Sequence, residues 1–212
     1  MFDIEYKGAN SIVISTKKDQ LVIDPKLSLV GLSDLNVKGA IQLATEDRFV
    51  VNDPSVKLTI EGPGDYEVSD FSIRGFAATR HIDTKEDEKK TTVYRIDISD
   101  IKIAVLGNVS PDPSEEQLEE LGVIDILILP VGGGGYTLDA TSAAATARQI
   151  EAKVVIPVHY ADNSLKYEVP QDTLDTFISE LGGERETVAK YKVKSAAALP
   201  QVLTIVELTR TS

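Results

Sequence analysis

The sequence predicts an α/β fold in which two β-sheets pack face to face and helices cover them from outside. The N-terminal half reads as short strands separated by turn residues, which is typical of β-hairpins. The C-terminal half alternates strands with helical segments. This order of elements fits two packed sheets better than a Rossmann arrangement. Because no linker rich in Pro, Ser or Gly divides the 212 residues, we expect residues 1–212 to form a single domain.

Three strands are predicted at the start of the chain. They cover Phe2–Tyr6, Ser11–Ser15 and Gln20–Ile23, and the turn residues between them predict an antiparallel meander. The third strand ends at Asp24, which is followed by Pro25. An Asp-Pro pair at a strand end is usually a turn, and the alternative is that the Asp24 carboxylate points into a site.

The middle of the chain continues the pattern of strands and turns. A polar segment follows the first of these strands at residues 45–53, and an almost wholly charged stretch at 82–90 predicts a solvated loop. The predicted strands are Gly39–Ala44, Val56–Ile60, Asp65–Val68, Phe71–Ala78, Thr91–Ile98 and Ile101–Leu106.

The stretch from Ile124 to Tyr160 predicts a β-loop-α-β unit. Ile124–Pro130 is a continuous apolar run that suits a strand buried on both faces, and a run of four glycines follows it. Leu138–Ala152 is rich in helix formers, and Lys153–Val158 is the next strand. Such a unit makes two parallel neighbouring strands, and sites are built where such strands end. His159 and Tyr160 lie at that position.

Two further helices and two closing strands are predicted. Ser114 begins a helix that runs through Leu121, with Gln117 completing a capping box. The other elements are a helix over Pro170–Leu181 and strands over Val188–Val193 and Val202–Leu208.

Composition excludes several classes of function. The chain has 22 basic and 34 acidic residues and a net charge of -12, which argues against nucleic-acid and anionic-membrane partners because both require a basic surface. Without cysteine it has no disulfide, thiolate ligand or thiol nucleophile. The first residues lack a signal-peptide pattern and no apolar run is long enough to span a bilayer, so a cytoplasmic protein is expected.

A series of short motifs resembles the metallo-β-lactamase superfamily. The nearest branch is similar to the small metal-dependent hydrolases related to sugar-phosphate lactonases. The resemblance implies a four-layer αββα sandwich with its site along one edge of the two sheets. The motifs that carry it are Gly8–Ser11, Val22–Pro25, Gly62–Glu67, Val105–Asn108, Leu129–Gly133 and Ile156–Tyr160.

The first metal motif of that family, T-H-x-H-x-D-H, falls on residues 45–51. The three histidine positions hold Glu46, Arg48 and Val51, and the aspartate position holds Val50. The resemblance thus implies that this motif has lost its imidazole ligands.

The remaining metal positions of the family are partly kept. The bridging aspartate of the L-G-D motif falls on Asn108. The two histidines of this chain, His81 and His159, fall on the last two histidine positions of the family. The resemblance implies that these two are the metal ligands if a metal is bound.

The ligand count favours a protein that has lost its metal chemistry. A catalytic zinc needs three protein ligands and an open position for water, and Arg48 places a fixed positive charge where a cation would sit. The sequence therefore predicts a non-catalytic binding or regulatory protein, with a small anionic ligand, a homo-oligomeric state and no cofactor.

A purely structural subunit is a further possible function, and two arrangements of the site stay open at this point. In one, Asp24, Glu46, Asp47, His81 and His159 converge on a single zinc or manganese ion, giving a hydrolase of a small phosphorylated or lactone substrate. In the other, Arg48 pairs with Glu46 or Asp24 and replaces the charge of the metal. A one-residue shift in the alignment would exchange the roles of Glu46 and Asp47. The candidate pocket residues are Asp24, Glu46, Asp47, Arg48, Asn108 and Tyr160.

Overall fold

The computed structural model describes residues 1–82, 90–111 and 113–211 of the chain. The strands in these residues are β1 Phe2–Gly8, β2 Ser11–Ser15, β3 Gln20–Ile23, β4 Ile41–Leu43, β5 Leu58–Ile60, β6 Gly64–Val68, β7 Phe71–Ala78, β8 Thr91–Ile98, β9 Ile101–Val105, β10 Ile126–Pro130, β11 Val154–Val158, β12 Glu184–Val188, β13 Tyr191–Val193 and β14 Thr204–Leu208. The α-helices are α1 Glu115–Leu121, α2 Ala140–Ile150 and α3 Leu174–Leu181, and single 3-10 turns cover Leu27–Val30, Asp47–Phe49 and Ala196–Ala198.

The described strands form two sheets. A six-stranded sheet has the order β13-β1-β2-β3-β4-β5, and an eight-stranded sheet has the order β12-β14-β11-β10-β9-β8-β7-β6. The meander β1-β2-β3 is antiparallel, and β10 and β11 are parallel neighbours. Both pairings agree with the sequence patterns.

The main core lies between the two sheets. Side chains alternate across each strand, so Ile12 and Ile14 of β2 point to this core and Val13 points to the opposite face of the sheet. In β10, Ile128 enters the same core while Leu127 faces the helices. Strands buried on both faces explain why their sequences are continuously apolar rather than alternating.

The helices lie on the outer face of the eight-stranded sheet. α2 presents a stripe of small residues that includes Ala143 and Ala147, and Phe177 of α3 is fully buried in the same layer. Ser114 caps α1 with the capping box that the sequence predicts. The outer face of the six-stranded sheet is covered by loop residues such as Val37 and Ala40. The predicted α/β class and the face-to-face packing of two sheets are confirmed.

Two predicted elements are wrong in their extent. The closing strand predicted over Val188–Val193 is two strands, because the chain leaves the eight-stranded sheet after β12 and enters the six-stranded sheet as β13. The helix predicted over Pro170–Leu181 begins only at Leu174, because the Asp172 carbonyl oxygen accepts from the Ala161 N–H instead of from the helical N–H four residues further on. The predicted solvated loop at 82–90 lies largely outside the described residues.

Parallel strands bring the functional segments to one edge of the sandwich. β3 and β4 are parallel in one sheet, and β9, β10 and β11 are parallel in the other. Asp24, Glu46, Asn108 and His159 all follow the carboxyl ends of these strands. Among the described residues, no helix is long and apolar enough to cross a membrane.

Candidate functional site

A cavity of about 80 Å³ opens at this edge of the sandwich. Three of the predicted pocket residues line it, Asp24, Arg48 and Asn108, together with the predicted metal ligand His159. Leu27, Val30 and Phe49 are among its apolar walls, so the polar groups occupy only part of its surface.

Glu46 is the centre of the charged network beside the cavity. It is 2% exposed, which makes it a buried carboxylate that needs compensating charge. Its Oε2 lies 3.0 Å from Arg48 Nε and 3.3 Å from Arg80 Nη1. Its Oε1 accepts hydrogen bonds from Arg48 Nη2 at 3.2 Å and Asn108 Nδ2 at 2.8 Å. Both oxygens therefore already have cationic or amide partners.

Glu46 also fixes the direction of a chain of amides. A carboxylate only accepts hydrogen bonds, so Asn108 must turn its NH2 group toward Glu46. Its Oδ1 then accepts from Asn10 Nδ2 at 2.9 Å. The last acceptor of this chain, Asn10 Oδ1, is buried and has no hydrogen-bond partner among the described residues. Asn10 itself lines the cavity.

Asp24 links the two loops of the six-stranded sheet. Its Oδ1 and Oδ2 accept hydrogen bonds from the Thr45 backbone N–H and hydroxyl, both at 2.7 Å. Its backbone adopts a left-handed φ of 47°, and its carbonyl oxygen accepts from the Ser11 hydroxyl. Burial raises the pKa of Asp24 to about 7, although the Thr45 bonds oppose that shift. At neutral pH this carboxyl is therefore close to half protonated.

His159 is held as a neutral imidazole with a defined tautomer. The Gln171 amide donates to the carbonyl oxygens of Val169 and Pro170, so Gln171 Oε1 accepts a hydrogen bond from the His159 Nδ1–H at 3.0 Å. Nε2 then carries the lone pair. Burial lowers the pKa of His159 to about 4. Its φ of 51° is left-handed, and its N–H donates to the Ala9 carbonyl oxygen.

The other predicted site residues lie elsewhere. Asp47 is exposed at the start of a 3-10 turn, so Glu46 and not Asp47 faces the site. Tyr160 stacks on the Tyr6 ring at 5.7 Å and does not line the cavity. The His81 backbone N–H donates to the Asn108 carbonyl oxygen at 3.0 Å, and its side chain is partly exposed.

Sequence reasoning missed several residues that complete the site. Arg80, Thr45, Gln171 and Asn10 all contact a predicted site residue. The sequence position of two of them could have indicated a role, because Arg80 directly precedes His81 and Asn10 lies in the Gly8–Ser11 motif.

The glycine loop after β10 serves packing. A Cβ on Gly132 would lie 2.3 Å from the His159 carbonyl oxygen and 2.5 Å from Gln171 Oε1. Asp139 occupies the N-terminus of α2 by accepting from the Ser142 N–H, and Asp172 lies near Gly133. Two carboxylates at this loop disfavour the binding of an anion there.

We expect Gly132→Ala to lower the free energy of unfolding by about 3 kcal/mol, because the methyl group must displace backbone as well as Gln171. Chemical denaturation measures the effect. Gly62→Ala is the matched control, since its Cβ would have no neighbour within 4 Å. Equal stability of the two variants would show that the close approach at Gly132 is absent in solution.

The carboxylates at this edge already have partners within the protein. Glu46 and Asp24 have both oxygens engaged, and the Arg48 guanidinium occupies the position beside them. Among residues 1–82, 90–111 and 113–211, no three His, Asp or Glu side chains come together in a way that could hold a metal ion. A catalytic zinc would require three such ligands.

Comparison with known proteins identifies relatives along most of the chain. A family model for the Beta-lactamase superfamily domain matches residues 3–159. The metal-dependent hydrolase YtkL of Bacillus subtilis is 22% identical over 218 aligned positions, which cover 84% of this chain and 94% of YtkL. A metal-dependent hydrolase of Natranaerobius thermophilus is 28% identical over 102 residues, 44% of this chain and 46% of that protein.

Solved structures share the same architecture. A metallo-beta-lactamase superfamily protein from Thermotoga maritima superposes with a TM-score of 0.75 at 23% identity, covering 99% of this chain and 100% of that one. The metallo hydrolase Igni18 from Ignicoccus hospitalis superposes with a TM-score of 0.69 at 16% identity, covering 99% and 95%. At these identities the likeness establishes the fold.

Proposed function

Because the chain belongs to the metallo-β-lactamase superfamily, within a family of metal-dependent hydrolases, we propose that it is a member in which an arginine-carboxylate network replaces the metal. In this proposal the cavity binds a small anionic ligand without hydrolysing it, and the protein acts by binding or regulation.

The contact between Glu46 and Arg48 is the observation that carries the proposal. Both residues fall on histidine positions of the family's first metal motif, and they pair with each other at 3.0 Å. A guanidinium is permanently charged and cannot leave its site by losing a proton, so it competes with a metal cation at any physiological pH. Removing Arg48 would leave the buried Glu46 carboxylate with less compensating positive charge, and removing Glu46 would leave Arg48 and Arg80 without their common carboxylate.

The remaining polar groups favour binding over catalysis. In the superfamily mechanism a metal lowers the pKa of its bound water and so generates the nucleophile. The Asp24 carboxylate is held by Thr45, and His159 is held by Gln171, so both groups are fixed in orientation. Fixed donors and acceptors without an activated nucleophile suit recognition of a ligand.

The competing function is hydrolysis at a rearranged mononuclear site. Asp24 and His159 line one cavity, which favours this alternative, and the relatives' description as metal-dependent hydrolases agrees with it. It would require Arg48 to move away and a third ligand to approach.

We expect the purified protein to contain far less than one zinc or manganese ion per chain. The protein should be produced without a tag, purified without chelator and measured by elemental analysis. Added EDTA should leave its unfolding free energy unchanged, because a ligand stabilises a protein only when it binds the folded state. The matched control is the His81→Ala/His159→Ala double variant, which should have the same metal content as the wild type.

About one metal ion per chain, lost in the double variant and accompanied by metal-dependent hydrolysis, would contradict the proposal. In that case the rearranged mononuclear hydrolase would be the correct description.

A further inference from the structure

We propose that the cavity binds a short-chain hydroxy acid, whose hydroxyl donates to Asn10 Oδ1 and whose carboxylate is held by Arg48 and Lys26. The inference rests on the proposed function, because it assigns the ligand of the same metal-free cavity.

Asn10 is the residue that would bind the hydroxyl group of the proposed ligand. This residue is 5% exposed and lines the cavity, and its Oδ1 is a buried acceptor without a partner among the described residues. Its amide cannot flip to avoid this, because the Glu46 carboxylate orients Asn108 and Asn108 in turn orients Asn10. A buried acceptor of this kind is costly unless a ligand donates a hydrogen bond to it.

His159 adds a second acceptor. Its Nδ1–H is directed at Gln171 Oε1, so the Nε2 lone pair is the one that remains. His159 lines the same cavity as Asn10. A cavity lined by two residues with free acceptor capacity favours a ligand that brings a hydrogen-bond donor.

Two cationic side chains would bind the carboxylate of the proposed ligand. Arg48 and Lys26 line the cavity, and Arg48 keeps N–H groups beyond those that face Glu46. Within the described parts of the chain, Lys26 forms no ion pair with a carboxylate. The exposed Glu168 carboxylate also lines the cavity, as does Asp24, so the positive charge there is moderate. One carboxylate matches it better than a dianionic phosphate.

Size and wall chemistry limit the rest of the ligand. A volume of about 80 Å³ is about three times the ~30 Å³ that one water molecule takes in the liquid, so only a short ligand fits. Leu27, Val30 and Phe49 form apolar walls that would contact a short alkyl chain.

The test compares 2-hydroxybutyrate with butyrate, titrated separately into the wild-type protein by NMR. We expect 2-hydroxybutyrate to bind about three- to tenfold more tightly than butyrate, the range for one net hydrogen bond. Asn10→Ala should remove this preference, so that the two probes bind with equal affinity. Arg48→Gln should weaken both. Lys17→Gln is the matched control for loss of a positive charge, because Lys17 is an exposed residue away from this cavity.

Equal binding of the two probes to the wild type would overturn the role of Asn10, and binding of neither would overturn the ligand class. Both comparisons use the unaltered protein, so they stand even if a variant fails to fold. Neither outcome affects the metal-free site, which is judged by metal content. A full complement of metal would end the proposed function and this inference together.

Discussion

Replacing Glu46 with alanine is expected to lower the free energy of unfolding by about 3–5 kcal/mol. The carboxylate is 2% exposed and is the common partner of Arg48, Arg80 and Asn108. Its removal leaves guanidinium groups facing each other and an amide donor without its acceptor. The loss measures the cost of leaving the partly buried Arg48 and Arg80 charges and the Asn108 donor unpaired, and it is larger than the net contribution of the pair itself. Urea denaturation at neutral pH provides the measurement.

Asp65→Ala is the control for the Glu46 variant. Asp65 also pairs with an arginine, Arg74, at 2.7 Å, but its side chain is 74% exposed. Exposed pairs contribute about 0–1 kcal/mol, so this variant should have nearly wild-type stability. If Glu46→Ala were no more destabilising than Asp65→Ala, the network would not hold the edge of the sandwich together, and the support for an arginine in place of a metal would disappear.

The positions of the site residues follow from the order of strands, which the sequence patterns capture well. Asp24 and His159 were predicted at strand ends because an apolar run stops immediately before each of them. The parallel pairing of β3 with β4 and of β10 with β11 then brings such ends to one edge. Local pattern and sheet topology therefore suffice to group these residues.

The contacts within the site do not follow from local pattern. The bond between Asn108 and Glu46 joins residues 62 positions apart in different sheets, and the bond between Asn10 and Asn108 spans 98 positions. Which acceptor remains unsatisfied depends on the direction of the whole amide chain. The same limit applies to Pro170–Thr173, where long-range bonds to Gly132 and His159 override the local helical pattern.

Asp24 is expected to make the protein less stable as the pH rises from 4 to 7. Burial raises its pKa from 3.8 to about 7, with Glu46 adding to the shift and Arg48 opposing it. The folded state therefore binds this proton more tightly than the unfolded state. The stabilisation is complete below pH 3.8 and is lost as the pH rises through 7. Because the pKa rises by about three, the stabilisation that is lost amounts to ~4 kcal/mol of unfolding free energy.

The protonation of His159 changes the free energy of unfolding in the opposite direction over part of this pH range. Burial lowers its pKa from 6.5 to about 4, so its contribution is complete above pH 6.5 and is lost as the pH falls toward 4. The two contributions nearly cancel between pH 4 and 6.5 in the wild type. A stability profile of the wild type alone therefore cannot reveal Asp24.

Asp24→Asn separates the two contributions. The asparagine has the same shape, and its amide can accept from the Thr45 N–H and donate to the Thr45 hydroxyl oxygen. Relative to the wild type, the free energy of unfolding of the variant should be little changed at pH 4 and ~4 kcal/mol higher at pH 8. The reason is that only the wild type must ionise a buried carboxyl group. Guanidinium denaturation at both pH values measures the difference. If the two proteins differed in unfolding free energy by the same amount at pH 4 and pH 8, Asp24 would ionise as freely in the folded state as in the unfolded state. Its carboxyl group would then be hydrated in solution rather than buried.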